Sequence, residues 1–417
     1  MTTPVDLGDD VQRLTAEVVA LRRELHQHPE LAFEEVWTAA TLAARMRSIG
    51  LGVDEGIGGT GVLAVLEGAA SGKTLLVRAD MDALPMAETT GREYASKIAN
   101  RNHSCGHDVN SAVVAGVAAL LARHRDRIAG RVAFVFQPAD EPMRGARRMI
   151  EDGLLQRIQP DMSMSVHVLP QADAGQVVIQ RGPIWASWDT RILTIGSPPA
   201  GGARNGFDIA RLSAHVVTTL YDLVELEARS ADDVTFRVRS LNVEQRAHGD
   251  PSQAAIEVHL GRGEPSQATI EVNLALYDNA LRRRLLDRIE HVAAMTVAAA
   301  GGSLSSAIDH ALPALVNDHR VTGALERAAR RVVGAQNIVT NWRNRFSDDF
   351  GLFMETAPGC LMLLGTANAK KGITETWHRP GFDVDEDALP VGVHIMSLAA
   401  LDLLRGIAPN ERRESPA

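Results

Sequence analysis

Residues 102–110 read NHSCGHDVN, and the remainder of the chain is best read outward from them. The stretch holds Cys105, one of 2 cysteines, between His103 and His107, with Asp108 beside the second histidine. Thiolate, neutral imidazole and carboxylate are the side chains that bind borderline divalent metals. In an extended segment Cys105 and His107 share a face, because alternate residues do, and one loop then offers two ligands to one cation. By itself the stretch is weak evidence, since a buried thiol and a backbone-bonded histidine are commoner than a metal site. The metal reading therefore needs further ligands in similar positions.

Before the stretch come two strand-like runs, GVLAVLEG and KTLLVRAD, the second ending in Asp80-Met81-Asp82. After it, residues 111–124 predict an alanine-rich buried helix and RVAFVFQ a buried strand that ends in Pro138-Ala139-Asp140-Glu141-Pro142. DMSMSVHVLP is a further strand with His167 near its end. Alternating strands and helices predict an α/β domain with a mixed sheet covered on both faces. In such sheets the site lies beyond the carboxyl ends of the strands, where these carboxylates and histidines fall.

Further out, helices are expected over about 11–26 and 33–49, with His26 and His28 near the C-terminus of the first, where a partly charged imidazole is favoured. A last helix over about 386–404 has Asp383 and Asp385 available as caps. At 417 residues the chain is too long for one ordinary core. The pattern changes near Trp185: a strand (188–195), a helix (208–229), a strand (234–243), two short strands and a long helix (279–300) predict a small inserted α+β domain. The expected organisation is 1–185 and 305–417 for the large domain and 186–304 for the insertion. Within the latter, PSQAAIEVHLGRGE (251–264) is followed by the near copy PSQATIEVNLALYD (265–278). Two units are too few for a solenoid, so a local duplication adding a strand or hairpin is expected.

The composition, 45% hydrophobic and 23% charged, is that of a globular protein. A formal net charge of -9 argues against nucleic acid or an anionic membrane as partner and leaves a small-molecule substrate. MTTPVDLGDDVQRL carries neither a basic n-region nor an apolar run, and Cys105 and Cys360 are far apart. A secretory signal and a disulfide framework are thus not expected, and a cytoplasmic location is the simplest assignment.

The candidate ligands are Cys105, His107, Glu141, His167 and His378. Five exceed one tetrahedral site but suit two divalent ions that activate a water, with Asp140 placed to take its proton. On spacing alone, buried histidines and N-cap carboxylates compete evenly with that reading. LRRELHQHPELAFEE, GIGGTGVLAVL, LLVRADMDALP, HSCGHD, FQPADE, GARRMIEDGLL, SVHVLP, RGPIWAS, SDDF and WHRPGFDVDEDALP, in that order, resemble the hippurate hydrolase and auxin-conjugate hydrolase family of metal-dependent amidohydrolases. The resemblance implies a two-metal catalytic domain, an inserted lid domain that forms a homodimer, and ligand roles for the same five residues.

Three departures stand out. Asp140 occupies the general-base position where the family has glutamate, and Asp348 likewise replaces a glutamate. The lid stretch GSPPAGGARNG (196–206) has no histidine; Pro199 and Arg204 stand there instead, and proline donates nothing. Arg204 could grip a substrate carboxylate, although an exposed arginine on a Gly-rich loop is the simpler reading. His215 is expected in a helix and core, and His248 in a solvated turn. Asp82 is expected to orient a ligand from behind. The expected function is hydrolysis of the amide of an N-acyl amino acid or small conjugate, with zinc, manganese and nickel not distinguished. The rivals are amide formation or cyclisation at the same metals, and a non-catalytic binding protein.

Overall fold

A computed structural model describes residues 6–197, 208–228, 233–245 and 265–405, which divide into two compact units. Residues 1–184, 315–344 and 348–417 belong to the larger, residues 185–314 and 345–347 to the smaller. In chain order the larger unit begins with α1 (Gly8–Gln27), α2 (Val36–Ser48), β1 (Gly52–Ile57), β2 (Gly61–Glu67), β3 (Ala70–Asp80) and α3 (His107–Arg123). It continues through β4 (Ala129–Gln137), α4 (Gly145–Glu151), α5 (Leu154–Ile158), β5 (Met162–Asp173), β6 (Val177–Val178) and β7 (Gly182–Trp185). The smaller unit supplies β8 (Trp188–Gly196), α6 (Ile209–Glu227), β9 (Thr235–Gln245), β10 (Pro265–Ala275), α7 (Asn279–Ala299) and β11 (Ser303–Leu312). The larger then resumes with β12 (Leu315–Asn317), α8 (His319–Val332), β13 (Ile338–Val339), α9 (Phe350–Met354), β14 (Gly359–Ala367) and α10 (Ala388–Leu403).

The large sheet runs β1-β2-β4-β3-β5-β14-β6-β13. β4, β3, β5 and β14 are mutually parallel, so their carboxyl ends share one edge of the sheet. α1 buries Val11, Leu14, Val18, Leu21 and Leu25, spaced three or four apart so that one stripe faces inward. That stripe joins α3, α8 and α10 on one sheet face, which β5 meets with Met164, Val166 and Val168. Strand alternation therefore turns Ser163, Ser165 and His167 to the opposite face. This is an α/β fold with a mixed sheet flanked by helices, and a smaller α+β domain is inserted in it.

The smaller unit has a four-stranded antiparallel sheet, β11-β8-β10-β9. Ala268, Ile270, Val272 and Leu274 of β10 pack beneath Val216 and Leu220 of α6 and Leu285 and Ile289 of α7. Asp208 and Asp278 cap these helices by accepting amides of their first turns. The second tandem copy therefore supplies a central strand. The first copy, Pro199, Arg204 and His248 lie outside the described residues.

Several local expectations are corrected. α2 begins at Val36, because Phe33 has a positive φ of 64° and Glu30 accepts the amides of Trp37 and Thr38. α3 begins at His107 rather than 111, so His107 is helical and not part of an extended segment. Neither Asp383 nor Asp385 caps α10. Asp383 binds Arg92 and Tyr94, while Asp385 takes Lys371, Asn368 and the amide of Asp387 just outside the helix. His215 is exposed on α6, not core. His26 does lie in the last turn of α1, where it is buried against Asp108, Arg22 and Glu88.

Candidate metal centre

The site begins where β3 and β4 end. Gly106, at φ 84°, turns the chain from the Cys105 loop directly into α3, and a Cβ there would meet Val168 Cγ2 at 2.4 Å. This glycine turn, not strand alternation, brings the Cys105 and His107 side chains together. After β4, Ala139 (φ 51°) and Met143 (φ 55°) take left-handed conformations that non-glycine residues seldom adopt. His378 does so as well, at φ 57°, and its amide bonds to the Ser104 carbonyl. Such local strain persists only where the surroundings fix it.

Buried carboxylates supply that fixing. Asp82 accepts the amides of Asp140 and Glu141, each at 3.0 Å, while its own carbonyl accepts His107 Nδ1–H at 2.8 Å. Glu35 accepts the Ala139 amide at 2.9 Å and the Thr60 hydroxyl. Burial raises the Glu35 carboxyl above its ordinary range, against those bonds. Asp82 stands just beyond the end of β3, where the sequence reading expects an orienting carboxylate. Glu35 was not legible in the sequence, because its partner is 104 residues away.

Among the described residues four groups bring ligand-type atoms within 4.8 Å of one another: the donor triads Cys105–His107–His167 and Cys105–Glu141–His378, and two that contain Asp140, Asp80–His107–Asp140 and Asp140–Asp348–Asp349. Cys105 is common to the first two. His167 Nδ1–H donates to the Val168 carbonyl at 2.9 Å, which leaves Nε2, 3.6 Å from Cys105 Sγ, as a lone-pair donor. His378 Nε2 is 3.4 Å from Glu141 Oε2. His107 Nε2 and Glu141 Oε1 are buried with no hydrogen-bond partner. Orphaned polar atoms of this kind are costly unless something else satisfies them. Burial, reinforced by Asp82 and Asp140, pushes the Glu141 carboxyl up to about 8, and burial with Glu141 pushes the Cys105 thiol well above its usual range. His107 lowers both acids without offsetting burial, and a divalent cation would supply further counter-charge. The donor set, one thiolate, one carboxylate and three imidazoles, would fit two borderline divalent ions.

Beside the triads, Asp140 points one oxygen to 3.7 Å from His107 Nε2 and gives the other to Arg78. Burial works to raise this carboxyl, but Arg78, His107 and His167 outweigh it and hold it at about 2. Arg78, Asp349 and Asn110 also belong to this network and were missed in the sequence. Asn110 donates to Asp80 at 2.7 Å and accepts the Val168 amide. Only the RAD end of β3, where an arginine interrupts an apolar run, hinted at Arg78.

A mixed α/β sheet, an inserted domain and paired donor triads at the strand ends define a metal-dependent amidohydrolase acting on a small-molecule substrate. Residues 76–402 match the pattern of peptidase family M20/M25/M40, and the chain belongs to that family. It is 32% identical to a probable hydrolase from Synechocystis sp. over 97% of this chain and 100% of that one. An N-acetylcysteine deacetylase from Bacillus subtilis is 30% identical over 94% of this chain and 97% of its own. The crystal structure of the Bacillus subtilis YXEP protein, a dinuclear metal-binding peptidase of the M20 family, is similar at a TM-score of 0.76 and 27% identity. That likeness covers 95% of this chain and 100% of the other.

Proposed function

We propose that the chain hydrolyses the amide bond of an N-acyl amino acid or a related small conjugate, as its resemblance to hippurate and auxin-conjugate hydrolases implies. The observation that carries this reading is the pair of donor triads joined at Cys105, with His107 Nε2 and Glu141 Oε1 left without partners. The N-acetylcysteine deacetylase among its relatives supports an acylated amino acid as substrate class. Cys105, His107, Glu141, His167 and His378 hold two divalent ions, of zinc, manganese or nickel. Such ions, when bound, make a water acidic near neutral pH and polarise an amide carbonyl.

The chain's own groups do the rest. Asp140 accepts the proton of the attacking water and delivers it to the leaving nitrogen; the C–N bond breaks, the hydroxyl stays on the acyl carbon and the amine departs. Asp82 keeps His107 in the tautomer whose Nε2 is a lone-pair donor. The inserted domain forms a homodimer, and the enzyme is cytoplasmic. The test is metal content by elemental analysis, followed by free-amine release from a panel of N-acyl amino acids, with Asp140→Glu and Asp140→Ala beside the parent. Bound metal with no amide cleaved by the parent or by Asp140→Glu sinks the reading in favour of amide formation or pure binding. Full activity in Asp140→Ala removes Asp140 from the mechanism.

A further inference from the structure

Arg78, near the end of β3, is completely buried, and every nitrogen of its guanidinium is engaged. Nε donates to Gln137 Oε1 at 2.9 Å and Nη1 to Asp80 Oδ2 at 2.7 Å. Nη2 meets Asp140 Oδ1 in a very short contact, with Asp348 and Asp349 each 3.3 Å away. Three of the four carboxylates are also anchored elsewhere. Asp80 is held by Asn110, Asp348 by the Phe350 amide, and Asp349 by the Ala146 amide and Gln137 Nε2. These anchors fix the plane of the guanidinium. Asp140 is the fourth: its second oxygen lies 3.7 Å from His107 Nε2, whereas the second oxygen of Asp80, 3.9 Å from the same atom, is taken by Asn110.

We propose that Arg78 is a positioning residue for Asp140, a rigid fork that holds one carboxylate oxygen so that the other faces the reacting centre. The inference rests on the reading of Asp140 as the base. An aspartate has one methylene, so its reach is set by the backbone, and rotation about χ2 decides which oxygen is presented. The bond to Arg78 removes that rotation. A lysine at this position keeps the charge but not the planar fork.

The test is Arg78→Lys, prepared as metal-loaded full-length protein. Metal content equal to the parent is expected, with kcat lower by about tenfold or more and KM changed by less than about threefold, as for a group acting in the transition state. In the Asp140→Asn background the same substitution should cost less than about twofold, because both changes act through one carboxylate. A purely structural arginine would give additive losses. The crystal structure of the variant should show the free Asp140 oxygen displaced from His107 Nε2. Unchanged kcat, additive losses or an unmoved carboxylate each overturn the proposal. If the parent cleaves no amide of the panel, the substrate reading fails, and the crystal structure alone decides this one. Should Arg78→Lys not fold, Asp140→Glu takes its place. With the guanidinium fixed, the extra methylene displaces the free oxygen and lowers kcat about tenfold at parental metal content, and parental kcat there overturns the proposal.

Discussion

Asp82 joins the two halves of the centre through one side chain and one carbonyl. Its carboxylate holds the Asp140 and Glu141 amides, and its carbonyl fixes the tautomer of His107. Asp82→Ala should lower metal affinity about 10–100-fold, the usual effect of losing a group that orients a ligand, and a competition titration with a chromophoric chelator measures it. Below the Cys105 loop, Arg22 and Asp108 form a fully buried ion pair at 2.8 Å. Arg22→Met leaves Asp108 with His26 as its remaining partner and should cost about 3–5 kcal/mol in urea unfolding. A cost under about 1 kcal/mol would mean the pair behaves as a surface one. His26 abuts the same carboxylate. Burial and Arg22 push its pKa down, but Asp108 and Glu88 outweigh them and raise it above 6.5. A raised histidine stabilises the fold fully below its unfolded pKa and stops doing so as pH rises through the folded one. The unfolding temperature of the parent should therefore fall more steeply above pH 6.5 than that of His26→Gln.

Among elements, the loop entering α3 depends on one backbone conformation. Gly106→Ala meets both a positive φ and the 2.4 Å clash with Val168. A loss on the order of 1–3 kcal/mol is expected, together with reduced metal content because His107 is the first residue of that helix. The β9–β10 connection shows the reverse tolerance. Gln245 pairs with Pro265, so residues 246–264 bridge one hairpin. Removing 251–264 leaves 246–250, an ordinary hairpin length, and should change stability by only about 1 kcal/mol, in the stabilising direction. Loss of the folded inserted domain by circular dichroism would count against this. The two copies carry the same inward four, Ala, Ile, Val and Leu, but the second continues into Leu276, Tyr277 and Asp278. Leu276 and Tyr277 are buried and Asp278 caps α7. The first copy has Arg262, Gly263 and Glu264 at those positions.

For the whole molecule, the candidate ligands come from four separate places: the Cys105 loop with the start of α3, the turn after β4, the middle of β5, and the loop before α10. Metal binding should therefore stabilise the larger unit, and chelation should lower its unfolding temperature. At a free metal concentration 100 times Kd each site contributes about 2.7 kcal/mol. Calorimetry with and without chelator checks this, and identical transitions would contradict a linking centre. Among the described residues no helix is long and apolar enough to cross a membrane.

The order of strands and helices, the insertion near Trp185 and the five candidate ligands could be read from sequence, because hydrophobic period and side-chain chemistry are local properties. What holds those ligands could not. Arg78 meets Asp348 across 270 residues, and Glu35 meets the Ala139 amide across 104. Each of those residues alone looks like any charged side chain. Even the pairing of Cys105 with His107 was reached by the wrong route, since it depends on a left-handed glycine and not on an extended strand. The sequence by itself determined which atoms can bind metal. Only the tertiary structure decided which carboxylate is tied to an arginine and which oxygen stays free, because burying four aspartates requires a guanidinium that only the folded sheet brings to them.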